Sequence, residues 1–219
     1  MPSSVTSSHQ QLENPINLRN DLRKNLRHQL RTVRNSISFE QHAESAFLVK
    51  KQLNSLACIS NASSIAAYLV NDGELDLSKF IQQKWESKPS PTFSIPVLHP
   101  VCKGHLLFLQ YTKSTPLVKN KYRIDEPELA CQNVIPTHAL DIILMPLVGF
   151  DNKGNRLGMG GGYYDRTLDF TRSSDQKPLL VGIAHDEQEV DTLPFASWDI
   201  PVDAIVTPTR ILTFSSLIA

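Results

Sequence analysis

The sequence predicts an α/β fold, on three observations. Apolar runs of strand type recur at 64–70, 92–98, 141–150, 178–184 and 203–207. Stretches of helical periodicity alternate with them, which argues for a parallel sheet with helices on both faces. A glycine-dense connection leads from the 141–150 run into a helix, at the edge where such sheets hold ligands. These features specify a three-layer α/β/α sandwich with a mostly parallel central sheet, Rossmann-like in plan, as a single domain over 18–219.

The elements follow in order. Residues 1–17 are rich in Ser, Gln and Asn and lack the charged-then-apolar pattern of a signal peptide, so a disordered extension is expected. From Leu18, the residues Leu18, Leu22, Leu26, Leu30, Val33 and Ile37 recur at spacings of four and three, a helical stripe expected to be buried. Arg19, Arg23, Arg27, Arg31 and Arg34 repeat that spacing one residue on, about 100° around the helix. Ser38-Phe-Glu-Gln41 resembles a capping box opening a second helix to about residue 56. A buried strand over 64–70 ends in the turn Asn71-Asp72-Gly73-Glu74, and a helix over 77–87 follows. Pro89 and Pro91 break the chain before strands at 92–98 and 105–111. The segment 112–138 reads mostly as loop. The 141–150 strand, the glycine loop, a short helix and strands 178–184 and 203–207 complete the chain.

At 219 residues the chain can bury one substantial core. Basic and acidic residues balance at 22 each, so net charge points to neither a nucleic-acid nor a membrane partner. Cys58, Cys102 and Cys131 are odd in number and widely spaced, with no CxxC. That supports neither a zinc site nor a disulfide framework and fits a reducing cytoplasm. No HExxH occurs, and no apolar run approaches membrane-spanning length.

The chemistry concentrates in Arg156-Leu157-Gly158-Met159-Gly160-Gly161-Gly162-Tyr163-Tyr164-Asp165-Arg166. Four of the nine glycines fall within five positions here. Backbone N–H groups of such a loop can close on an anion, because no Cβ blocks the approach and positive φ costs little. Arg156 and Arg166 can add fixed positive charge. The loop is no P-loop, and a third glycine of a dinucleotide fingerprint would fall at Tyr163. A glycine-rich turn with aromatics packed on the sheet is the competing reading.

The arginine-rich helix reads by default as a solvated face. A nucleic-acid arm is a second reading, unsupported by interleaved aromatics. In a third, Arg23 and Arg27, one turn apart, reach toward phosphates held by the glycine loop, which has no lysine of its own. Asp165 is equally a magnesium ligand or a helix cap, and Asp199 lies just before the last predicted strand. Glu74 sits in the turn after a buried strand, either at the ligand edge or as a turn acid without function.

These segments resemble the 5-formyltetrahydrofolate cyclo-ligase (5,10-methenyltetrahydrofolate synthetase) family. The resemblance is carried by Pro146-Leu-Val-Gly-Phe-Asp151 and by Arg156 through Arg166. It continues at Gly73-Glu-Leu-Asp76, Arg123-Ile-Asp-Glu-Pro127, Gly182-Ile-Ala-His-Asp-Glu-Gln188, Leu193-Pro194 and Trp198-Asp-Ile-Pro201. It implies ATP-dependent cyclisation: the formyl oxygen of 5-formyltetrahydrofolate takes a phosphoryl group, N10 attacks the activated carbon, and phosphate leaves to give 5,10-methenyltetrahydrofolate. It further implies that Arg23, Lys24, Arg27 and the stretch Arg156, Leu157, Gly158, Met159, Gly160, Gly161, Gly162, Tyr163 and Tyr164 bind ATP. Arg23, Arg27 and Arg156 would be catalytic. Leu69, Glu74 and Met159 to Tyr163 would line the folate pocket, and Asp165 and Asp199 would hold Mg²⁺. Many relatives carry Lys where this chain has Arg23, with Lys24 beside it, so which of the two meets phosphate stays open. The partner implied is 5-formyltetrahydrofolate, with or without a polyglutamate tail, for a cytoplasmic monomer or weak homo-oligomer. A non-catalytic folate-binding protein is the alternative; a phosphosugar isomerase or acyl-transfer enzyme would need a base or catalytic carboxylate that the sequence does not reveal.

Overall fold

A computed structural model describes residues 15–218, so the expected 1–14 part of the extension lies outside the described residues. The first half of the chain forms α1 (Pro15–Asn35), α2 (Phe39–Ser55), α3 (Ala57–Asn61), β1 (Ser64–Ala66), α4 (Ser78–Trp85), β2 (Thr92–Leu98) and β3 (Leu106–Tyr111). After these come β4 (Leu117–Lys119), β5 (Asp125–Pro127), β6 (Val134–Ile135), β7 (Ile142–Pro146), β8 (Gly149–Phe150) and β9 (Arg156–Leu157). The chain ends with α5 (Tyr163–Thr167), β10 (Leu179–Ile183), β11 (Ala204–Val206) and β12 (Ile211–Thr213). The central sheet has the order β12-β11-β10-β7-β1-β2-β3-β6. The five strands from β11 to β2 are mutually parallel, and β12, β3 and β6 add antiparallel edges.

β7 shows why the middle strands read as unbroken apolar runs. Ile142 and Leu144 join Val49, Leu53, Phe80 and Ile81 of α2 and α4 on one face. Ile143 and Met145 pack on the other with Phe150, Leu168 and Ile205. Side chains alternate across the sheet with period two, and both faces are covered. Two aspartates set register at the strand starts. Asp141 accepts from the amides of Ser63 and Ser64 at 2.8 and 3.0 Å, and Asp203 accepts from Leu180 N at 2.8 Å.

The single strand expected over 141–150 divides after Pro146. The carbonyl of Leu147 is taken by Arg34 Nη1 (3.1 Å) and Gln188 Nε2 (2.6 Å), and that of Val148 by Gln188 (3.0 Å). Side chains thus replace the sheet ladder, and the chain turns into the β8–β9 hairpin. Buried Asp151 closes that hairpin by accepting from Lys153 N, Asn155 N and the Asn155 side chain. The 64–70 strand is likewise shorter than its apolar run, although Ala67 N still donates to Ser94 O at 2.9 Å. The 112–138 segment is not all loop, since it contains the β4–β5 hairpin and edge strand β6. The expected capping box is present at Ser38 and Gln41.

The stripe expected to be buried on α1 is corrected. Leu18, Leu22 and Val33 are 49%, 51% and 40% exposed, and among the leucines only Leu30 is fully buried. Leu26 and Leu30 pack on Val148, Leu157 and Leu193, while the arginine edge faces the body. The helix lies over a polar cleft instead of an apolar core, so its docking face is the one that can pair charges. It also begins at Pro15, three residues before the expected Leu18.

Candidate active site

The carboxyl ends of β1, β2 and β7 open into a cavity of about 1180 Å³, roofed by α1 and walled by the glycine loop and the β4–β5 hairpin. Most of the residues singled out in the sequence line it: Arg23, Arg27, Leu69, Glu74, Arg156, Gly158 to Asp165, and Asp199. Two do not. Lys24 is exposed outside the cavity, and Leu157 is buried against Leu30, Val148 and Leu193. The position one residue earlier, Arg23, is therefore the one that faces the cavity.

The glycine loop is bent where only glycine is comfortable. Gly160 has φ +96° and Gly162 φ +64°, the latter standing at the N-cap of α5. Arg27 Nε donates to the carbonyl of Gly158 at 2.8 Å. Among the described residues, the amides of Met159, Gly160, Gly161 and Gly162 have no hydrogen-bond acceptor. A row of unpaired donors beside a helix N-terminus and two arginines is a receptor for oxyanions. Burial, then the nearby Arg23, holds the Arg27 guanidinium below its usual pKa, against the opposing pull of Asp199. An anion entering here would find a partly desolvated, under-compensated cation.

Each arginine of the α1 edge has a partner. Arg19 lies over the Trp198 ring at 4.9 Å. Arg23 grips Asp199 through both carboxylate oxygens (2.5 and 3.0 Å) and also donates to Pro194 O at 3.0 Å. Arg31 and the fully buried Arg34 converge on Asp72 in the turn after β1 (2.7 and 2.6 Å). The solvated-face reading of this helix is overturned.

Asp165 and Asp199 differ as candidate metal ligands. Asp165 Oδ1 accepts from Arg156 Nη2 (2.6 Å) and Ile200 N (3.2 Å), while its Oδ2 makes no bond among the described residues. Asp199 has both oxygens on Arg23 and also accepts from Ala196 N at 2.8 Å. No group of three or more His, Cys, Asp or Glu suited to a metal occurs among the described residues. Mg²⁺ needs few protein carboxylates when phosphate and water complete its octahedron, so the free oxygen of Asp165 fits such an ion. Arg156 sits behind it, 8% exposed, with Nε on Ile200 O at 3.0 Å.

The other end of the cavity brings Glu74 together with tyrosines and an apolar wall, and Asp125 and Glu126 of the β4–β5 hairpin also line it. Glu74 caps its own turn by accepting from Asn71 N at 3.1 Å, and burial pushes its pKa up to about 7 against the opposing pull of Arg34. Tyr68 donates to Leu75 O at 2.7 Å, and burial raises the pKa of the Tyr164 phenol behind Glu74. Leu69, Ile95, Pro96 and Leu106 supply apolar wall. Sequence reasoning missed the β4–β5 hairpin, whose Tyr122 hydroxyl lies 2.9 Å from that of Tyr163 across the cavity mouth. It also missed His105, whose Nδ1 is buried without a partner. The Tyr-Arg-Ile-Asp-Glu-Pro stretch at 122–127 was the available signal.

The profile of the 5-formyltetrahydrofolate cyclo-ligase family matches residues 19–208. The chain is 41% identical over 182 residues to 5-formyltetrahydrofolate cyclo-ligase of Escherichia coli K12, covering 83% of this chain and 98% of that protein. It is 42% identical over 181 residues to the Haemophilus influenzae protein of the same name, covering 82% and 94%. The fold is similar to the NMR structure of Aquifex aeolicus 5,10-methenyltetrahydrofolate synthetase, with a TM-score of 0.74 and 28% identity over 88% of this chain and 92% of that one.

Proposed function

The chain belongs to the 5-formyltetrahydrofolate cyclo-ligase family, and from that premise we propose that it closes 5-formyltetrahydrofolate to 5,10-methenyltetrahydrofolate while converting ATP to ADP and phosphate. The observation that carries the reading is one cavity with two chemically distinct ends. Unpaired loop amides and arginines occupy one, and an apolar wall with tyrosines, the buried Glu74 and the hairpin acids Asp125 and Glu126 occupies the other.

Phosphoryl transfer to the formyl oxygen asks for position and charge neutralisation more than covalent chemistry. The amides from Met159 to Gly162, with Arg27 and Arg156, hold the phosphates; Arg23, braced by Asp199, stands beside them. The oxygen of the formyl group becomes part of the leaving phosphate, N10 forms the new bond to carbon, and its proton is lost. Leu69, Glu74, Met159 and Tyr163 hold the folate so that N10 faces that carbon. Mg²⁺, when bound, supplies charge neutralisation of the phosphates. Asp165 would hold it through its free oxygen, and the share taken by Asp199 depends on Arg23 passing from that carboxylate to a phosphate.

The substrate is reduced folate with or without a polyglutamate tail, and the compartment a reducing cytoplasm, supported by three free cysteines. No helix among the described residues is long and apolar enough to cross a membrane. We read the protein as a monomer or weak homo-oligomer.

The decisive experiment mixes the protein with 5-formyltetrahydrofolate and follows methenyl-folate absorbance. Growth should require both ATP and Mg²⁺, and ATP consumption should require the folate. Folate binding without any turnover would make this a non-catalytic binding protein. Asp165→Asn should shift the Mg²⁺ dependence of turnover upward, with partial recovery at high Mg²⁺.

A further inference from the structure

We infer that Arg166 is a positioning residue that presets the glycine loop for phosphate, and does not itself serve as a phosphate cation. Its side chain leaves α5 and joins three segments. Nε donates to the carbonyl of Gly104 in the β2–β3 turn at 2.9 Å, Nη2 donates to the carbonyl of Gly161, and the guanidinium carbon lies 5.9 Å from the centre of the Tyr163 ring. Two glycines make room for it. A Cβ on Gly104 (φ +83°) would sit 2.4 Å from Nε, and one on Gly162 (φ +64°) 2.8 Å from Nη1.

The consequence follows from peptide planarity. In a trans peptide the carbonyl of one residue and the N–H of the next point in opposite directions. Fixing the Gly161 carbonyl on Arg166 therefore turns the Gly162 N–H the other way. Arg27 does the same on the Gly158 carbonyl for the Met159 N–H. Both amides are among those without an acceptor in the described structure. Two arginines thus hold carbonyls from either end of the loop and leave the intervening donors for an external oxyanion. Arg166 lines the cavity, where the sequence reading has it add charge; in this proposal its Nε and Nη2 serve backbone carbonyls instead.

The inference rests on the glycine loop being the ATP site, so the test separates the two. ADP with Mg²⁺ is titrated calorimetrically into wild-type protein and into Arg166→Ala, Arg166→Gln, Arg166→Lys and Gly104→Ala. Wild-type protein that fails to bind ADP would sink the reading of the loop itself. Given binding, Arg166→Ala should weaken ADP about three- to tenfold, the range for lost hydrogen bonds to an exposed group. The KM for ATP should rise while the KM for the folate stays. Arg166→Gln, which keeps a donor without the charge, should retain most of the affinity. Gly104→Ala, outside the cavity, should weaken ADP by wedging the guanidinium off its carbonyl. Unchanged ADP binding in Arg166→Ala overturns the proposal. So does a Gln variant as weak as Ala with affinity restored by Lys, since that is the pattern of a direct phosphate cation.

Discussion

The two ends of the cavity solve opposite electrostatic problems. At the phosphate end, cations are held in place before any ligand arrives, each by a carboxylate, a carbonyl or an aromatic face. At the end proposed for folate, burial pushes the Glu74 carboxyl up to about 7 against the pull of Arg34, so it has lost much of its charge near neutral pH. The first end is built by pairing and the second by exclusion of water. Perturbing them should therefore give different signatures, in stability at one and in pH dependence at the other.

The largest effect is expected at the Arg23–Asp199 pair, whose side chains are 13% and 6% exposed. Asp199→Ala leaves a buried guanidinium without its partner, and breaking such a pair costs about 3 kcal/mol. Thermal melts should show that loss together with weaker ATP binding. A stable Asp199→Ala protein would mean that Arg23 is free to find water, and the paired character of this end would be lost. Arg27→Ala comes next. It removes the cation that burial and Arg23 leave under-compensated, so ATP affinity should fall by about 1.5–3 kcal/mol. Folate affinity should barely move. Equal losses for both ligands would erase the division between the two ends.

Glu74→Gln tests the other end through pH. The Glu74 carboxyl has a value of about 7 in the fold against 4.5 for an ordinary glutamate. Between those values the folded protein keeps a proton that the unfolded chain has released. The stability this gives is complete below 4.5 and is lost as pH rises through 7, above which the fold carries a buried charge. Glu74→Gln, which can still accept from Asn71, should melt a few degrees above wild type at pH 8 and by much less at pH 5. A pH-independent difference would place Glu74 in water. The smallest effect belongs to Tyr122→Phe. It deletes an exposed hydroxyl contact worth about 0.5–1.5 kcal/mol. Substrate release followed by stopped flow should quicken a few-fold, with ATP affinity unchanged; no change would show that the hairpin does not restrain the folate end.

The legibility of these features in the sequence follows from their range. The glycine loop, the Ser38 capping box and the apolar strands at 92–98, 178–184 and 203–207 are local patterns with local causes, and they stand within a residue of where expected. The face of α1 was misread because periodicity assigns the apolar stripe to the interior. Here Arg23 finds Asp199 a distance of 176 residues along the chain, a pairing no window can contain. β4 and β12 went unseen because three exposed or half-exposed residues carry no alternation. Leu147 ends β7 through Arg34 and Gln188, again partners supplied by the fold. The tie between Asp165 and the Ile200 amide belongs to the same class.

One feature of α1 joins the two ends. A single 21-residue helix presents Arg23 and Arg27 to the phosphate end, and through Arg31 and Arg34 grips Asp72, two residues before Glu74. At 1.5 Å per residue, Arg27 and Arg34 stand about 10 Å apart on a rod that has no internal hinge. A shift of α1 that improved the fit of Arg27 to a phosphate would be felt, through Arg31 and Arg34, at the turn carrying Glu74. Any coupling free energy that this helix carries between the two proposed ligands is reciprocal. The factor by which a nucleotide alters folate affinity must equal the factor by which folate alters nucleotide affinity.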